Sequence, residues 1–192
     1  MKKLLLALLL TAVVSGSAVA QPPPVAYVGL YVDDLHSTQC ISGSVSYEFL
    51  MWIWVLPGVD GLYGVEFAME YPPGVIPSTV ERNPIFPAQL GDLTSVDGVA
   101  TSASECLEDW TWVFRQNIIV TAPDPMEIRI VGSTMGEFVY ETPIHTTCDY
   151  PYPIFELRVL NYLYINYEGE AYECSLIGTE SKSWGAIKSL FR

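Results

Sequence analysis

Residues 44–55, SVSYEFLMWIWV, alternate at a period of two along their whole length. Val45, Tyr47, Phe49, Met51, Ile53 and Val55 form one unbroken apolar row, while the opposite row begins polar at Ser44, Ser46 and Glu48. That second row turns apolar at Leu50, Trp52, Trp54 and Leu56 before Pro57-Gly58 stops the run. Only an extended strand puts alternate residues on opposite sides, so this is a long β-strand with one core face and one face of mixed character. A strand that is apolar on both sides lies where something covers each face of its sheet.

The same rhythm recurs along the chain. VAYVGLYV (25–32) is a first strand, ended by Asp33-Asp34. In LYGVEFAME (62–70), Tyr63, Val65, Phe67 and Met69 alternate against Gly64, Glu66, Ala68 and Glu70, a half-buried strand by its period. WTWVFRQNIIVT (110–121) sets Trp110, Trp112, Phe114, Ile118 and Val120 on one face, which reads as core. MEIRIVG (126–132), EFVYE (137–141) and FELRVLNYLYINY (155–167) are further strands, the last with Phe155, Leu157, Val159, Leu163 and Ile165 on one side. Between 71 and 105, Pro72, Pro73, Pro77, Pro84 and Pro87 exclude long helices and leave loops and short strands, one of them near 98–103. Only the ending changes period: Trp184, Ile187, Leu190 and Phe191 recur at three and four, as on one side of a helix.

Strands divided by proline and glycine turns, with almost no helical period, predict an all-β fold, an antiparallel two-sheet β-sandwich with a short C-terminal tail or helix. No repeat of propeller or solenoid length is present. An outer-membrane barrel would alternate apolar-out with polar-in along every strand, which this chain does not do. The expected organisation is a signal peptide at 1–20, a proline-rich leader at 21–24, the sandwich domain at 25–180 and an amphipathic tail at 181–192. Lys2 and Lys3, the apolar LLLALLL and the small-residue Ala18-Val19-Ala20 form the export signal, with cleavage after Ala20 and a secreted or periplasmic product. Membrane insertion is not expected of the chain beyond Ala20.

The formal net charge is −13, and it becomes two units more negative once Lys2 and Lys3 leave. Phosphate backbones and anionic lipids need a basic surface, so nucleic acid is excluded as a partner. The four cysteines, Cys40, Cys106, Cys148 and Cys174, are an even number in an exported chain and predict two disulfides. Three connectivities are open to them; the expected one nests Cys106–Cys148 inside Cys40–Cys174, each bridge contributing roughly 3 to 4 kcal/mol through loop closure. No Cys-x-x-Cys pair is present, so the cysteines do not read as a zinc site.

Catalytic signatures are absent: there is no G-x-S-x-G, H-E-x-x-H, Walker loop or Rossmann glycine fingerprint. No catalytic residue, metal site or cofactor is assigned. The two histidines, His36 in DDLHSTQC and His145 in TPIHTTCDY, read as exposed loop residues. Glu66 and Glu70 share a strand face, but 22 acids make such pairs inevitable, and the plain reading is a solvated face. Asp33, Asp34, Glu105, Glu108 and Asp109 are loop carboxylates of the kind calcium takes, without a D-x-D-x-D-G loop to order them.

Twelve tyrosines and five tryptophans remain, and aromatic rings on a sheet face stack on sugar rings. Trp52 and Trp54 are therefore the candidate ligand-binding residues. Their competing role is the floor of a second buried layer, with the tail around Trp184 as its cover. The expectation is an exported, non-catalytic binding or structural module with a glycan or protein partner. Its alternatives are a carbohydrate-active enzyme using two carboxylates and a subunit of a surface assembly.

GVEFAMEYPPGVIP resembles the early-strand pattern of cohesin-like β-sandwiches, where such a strand precedes a proline-bearing loop. The pieces GLYVDDLHSTQC, ECLEDWTW and SWGAIKSLFR also resemble a group of uncharacterised exported bacterial proteins, over most of the chain after the signal. The cohesin resemblance implies a sandwich that binds a partner module; neither resemblance brings functional residues with it.

Overall fold

A computed structural model describes residues 25–43, 46–135, 139–167 and 175–176. The strands are β1 (Ala26–Tyr31), β2 (Cys40–Ser42), β3 (Tyr47–Leu56), β4 (Leu62–Glu70), β5 (Val75–Arg82), β6 (Ala88–Gly91) and β7 (Val99–Leu107). They continue as β8 (Thr111–Val120), β9 (Met126–Val131), β10 (Ile144–Thr146), β11 (Ile154–Val159), β12 (Leu163–Ile165) and β13 (Ser175–Leu176). The fold is an all-β sandwich, with no helix among the described residues. The signal peptide, the leader and the C-terminal tail predicted from sequence lie outside the described residues.

One sheet runs β11-β1-β3-β8-β5. In the other, β6, β7, β4 and β10 are successive neighbours, and β9, β12, β2 and β13 extend it. The pairing path ends at β13 and at β5, so the sheet is not closed. β11 belongs to both layers: residues 154–156 pair with β10 and residues 157–159 run parallel to β1. Between the layers lie Leu30, Met51, Ile53, Phe67, Phe114, Ile118 and Leu157, all fully buried. These are the inward positions of the alternating strands, and burying them is the main stabilisation of the fold.

Two expected elements differ. FELRVLNYLYINY, read as one strand, is two: β11 and β12, interrupted at 160–162. Asn161 breaks it. Its Oδ1 accepts the Leu30 N–H (2.7 Å) and its Nδ2 donates to Leu30 O (3.2 Å), so the side chain replaces a strand partner for β1. EFVYE forms no strand where it is described, at 139–141. The proline-rich region holds a longer strand than expected, β5, with Pro77 inside it. Among the described residues β5 pairs only with β8, and a missing N–H is tolerated at such an edge.

Candidate functional site

The outer face of the first sheet carries the aromatic residues. Trp52 and Trp54 project from β3, opposite Tyr31 and Gly29 on β1 and opposite Arg115 and Trp112 on β8. Their ring centroids lie 6.2 Å apart. Trp112 meets Trp52 edge-on at 5.6 Å, and the Arg115 guanidinium lies over both rings, 5.4 Å from Trp52 and 5.5 Å from Trp112. Glu81 on β5 fixes that guanidinium, its Oε2 accepting from Arg115 Nε at 2.7 Å. Trp52, Trp54, Trp112 and Arg115 are all half-buried, and the Arg115 guanidinium covers part of the Trp52 ring from within the chain.

Trp110 and Trp112 belong to this outer layer and not to the core, contrary to the alternation read from sequence. Ile53 pairs with Phe114 but Trp54 pairs with Trp112, leaving Val113 as the extra residue of a β-bulge. Val113 and Phe114 both turn inward, at 0 % exposure, and everything N-terminal to them changes face. A strict period of two carried through the bulge therefore assigns the two tryptophans to the wrong side.

The histidines also differ from the expected exposed loop positions. His36 stacks on Trp110 at 4.3 Å and approaches Trp54 at 5.1 Å, so the 33–39 loop covers one end of the aromatic layer. Asp33 shapes that loop by accepting from Leu35 N, Ser37 N and Ser37 Oγ, each at 3.0 Å. Burial pushes the Asp33 carboxyl up, but the bonds from Thr38, Ser37 and Leu35 together hold it below the usual range. Asp33 thus uses its oxygens on its own loop, and no group of three or more His, Cys, Asp or Glu able to hold a metal occurs among the described residues. His145 is 1 % exposed on β10, its two ring nitrogens without a hydrogen-bond partner. Burial pushes its pKa down and keeps the imidazole neutral.

The outer face of the second sheet is built in the opposite way. Registers across β6, β7, β4, β10 and β11 place Leu90, Ala100, Glu66, Ile144 and Glu156 in one row. The next row is Ala88, Ser102, Gly64, Thr146 and Ile154. The middle strands thus offer almost nothing but small side chains, between Leu90 on one side and Ile144 and Ile154 on the other. The result is a trench of about 390 Å³, with Tyr140 at its end. Gly132 lets that end close: a Cβ there would collide with Tyr140 O. Leu90 at 70 % and Ile154 at 54 % are exposed apolar rims. Glu66 accepts from Ser133 Oγ at 2.6 Å, while Glu70, its expected companion, is exposed at the strand end.

Sequence reasoning singled out Trp52 and Trp54 as candidates and did not single out the trench. Its signal was present in GLYG and VATSAS, whose outward positions are unusually small, but smallness becomes a trench only when three strands align. Cys106 and Cys148 are bridged, as expected. Cys40 is disulfide-bonded too, and its expected partner, Cys174, lies outside the described residues.

No protein-family model and no curated protein sequence matches the chain. Solved structures do. The cohesin module of a family 33 glycoside hydrolase from Clostridium perfringens superposes with a TM-score of 0.52 at 12 % identity, covering 76 % of this chain and 99 % of the module. The fold is cohesin-like. A non-cellulosomal cohesin from Archaeoglobus fulgidus gives 0.51 at 12 % identity over 76 % of this chain and 94 % of its own. The structure of a type I cohesin–dockerin complex from Clostridium thermocellum gives 0.52 at 10 % identity, over 74 % and 92 %. At such identities the likeness is one of fold.

Proposed function

We propose that this protein is an exported, non-catalytic binding module that docks a helix of a partner protein in the trench on its second sheet. One observation carries the reading: a trench whose floor is made by the small residues Ala100, Ser102 and Gly64, with Glu66 beside them, runs between the exposed apolar side chains of Leu90 and Ile154. Strands sit about 4.8 Å apart, so Leu90 and Ile144, three spacings from each other, bracket roughly 14 Å. An α-helix with its side chains is about 10–12 Å across and fits between them. Small floor residues let a helix backbone approach closely, and apolar rims supply the area that such grooves use. Glu66 and Glu156 flank Ile144 in one row, so the complementary helix is basic as well as apolar.

The cohesin-like fold supports a docking role, because one matching cohesin was solved in complex with a dockerin. The Cys106–Cys148 bridge supports an oxidising compartment and hence export. Trp52 and Trp54 we assign to packing, since Trp112, Arg115 and the 33–39 loop engage the layer they form. Docking of this kind also makes the protein a natural member of a surface assembly.

The test is affinity capture from the exporting cell's own surface and secreted proteins, on immobilised mature protein and on Ser102→Trp in parallel. Filling the trench should weaken retention of a specific partner at least about thirtyfold, roughly 2 kcal/mol. Retention that is unchanged in Ser102→Trp but lost in Trp52→Ala would place the binding face on the first sheet instead.

A further inference from the structure

The trench wall is held by short ladders. β10 is three residues long, and two buried side chains, His145 within it and Thr147 just past it, have no hydrogen-bond partners. Two residues beyond β10 comes Cys148, and Cys106 stands next to last in β7, a floor strand. β7 and β10 flank β4 from opposite sides, pairing with the same residues, Gly64 to Glu66. The bridge therefore ties wall to floor past the start of β4. Gly61 makes the passage: it has φ of 69°, and a Cβ there would collide with both sulfurs. Cys148 N donates to Asp60 O at 3.1 Å, adding one backbone bond at the same point. From this anchor leaves the segment 149–153, with Tyr150 87 % exposed and Tyr152 stacked on Tyr63 at 4.9 Å.

We propose that Cys106–Cys148 is a positioning bridge for the docking trench: it pins the β10 wall to the β7 floor, so that a dithiol reductant opens the trench and leaves the sandwich folded. The inference rests on the trench being the docking site. Cys106 is an exposed residue. A thiolate of the dithiol attacks one bridge sulfur and the other leaves as a thiolate, taking up a proton. The second thiol of the reductant then displaces the mixed disulfide. One protein disulfide becomes two thiols while the dithiol becomes a disulfide. Without the bridge, the β10 segment keeps its short ladders to β4 and β11 and the Cys148 N–Asp60 O bond, whereas the pairings of β3 with β8 and of β8 with β5 contain no part of the freed segment.

Hydrogen exchange read by mass spectrometry on the mature protein tests this, with oxidised protein, dithiothreitol-treated protein and C106A/C148A compared. The double variant separates this bridge from the one that holds Cys40. Exchange in peptides covering 139–153 should rise about a hundredfold in both altered forms, while β3 and β8 keep their protection. An even rise along the whole chain, a double variant that does not fold, or no rise at 139–153 overturns the proposal. No partner takes part in the measurement, so a negative result removes the pin alone. The trench reading stands or falls separately, on Ser102→Trp capture.

Discussion

The two outer faces of this sandwich treat the same geometric problem in opposite ways. On the first sheet, large side chains fill the face: Trp52, Trp54 and Trp112 with Arg115 above them and His36 at one end. On the second, the corresponding positions are Gly64, Ala100 and Ser102, and the face is hollow. A filled face completes its contacts within the chain and contributes to stability. A hollow face leaves apolar rim uncovered and contributes little until something else occupies it. The contrast teaches that aromatic richness alone does not mark a binding face, because rings that satisfy one another have less to offer a ligand.

The contrast can be broken most directly at Trp52. Trp52→Ala should cost about 2–3 kcal/mol in guanidinium unfolding, scaled down from full burial because the ring is half-exposed. A variant as stable as the parent that loses retention on a polysaccharide gel would make the aromatic face a platform after all. Asn161→Ala should come next, at about 1–3 kcal/mol, because it strips both Leu30 backbone groups of their partner where β1 borders β11.

His145 gives a pH signature that belongs to the trench side alone. Its folded pKa lies below the unfolded value near 6.5, so the unfolded state binds the proton more readily. The neutral-His stability is fully present above about pH 6.5 and is lost as pH falls through the lowered folded pKa, at up to about 1.4 kcal/mol per pH unit. His145→Phe should flatten that slope in urea titrations between neutral and acidic pH; an unchanged slope would show that the imidazole is not the group responsible. The smallest effect is expected at the rim. Leu90→Ser should change stability by less than about 0.5 kcal/mol in the same titration, since the side chain is 70 % exposed. A larger loss would mean that the trench rim is structural.

The main strands were legible because alternation is a local property. LYGVEFAME reads as a strand from its own residues, and it is β4 over its whole length. Core positions such as Met51, Ile53 and Phe67 followed from the same alternation. Failures occurred where a distant group intervened. Asn161 divides β11 from β12 by bonding to Leu30, a residue remote in sequence. His145 reads as loop because IHT is too short to show a period, yet two neighbouring strands pair with it. Pro77 argues against a strand unless the strand is an edge, and only the sheet order reveals that β5 is one.

The sequence by itself determined an all-β sandwich, its long alternating strands and the acidity of the chain. Each of these depends on residue type and short spacing, which the chain carries before it folds. Only the tertiary structure decided which outer face is filled and which is open. One extra residue at Val113 turned Trp110 and Trp112 outward, Trp112 against Trp52 and Trp110 against His36, and the alignment of β7, β4 and β10 turned scattered small residues into a trench. Both outcomes arise from register between strands distant in sequence, and register is set by packing the whole core at once.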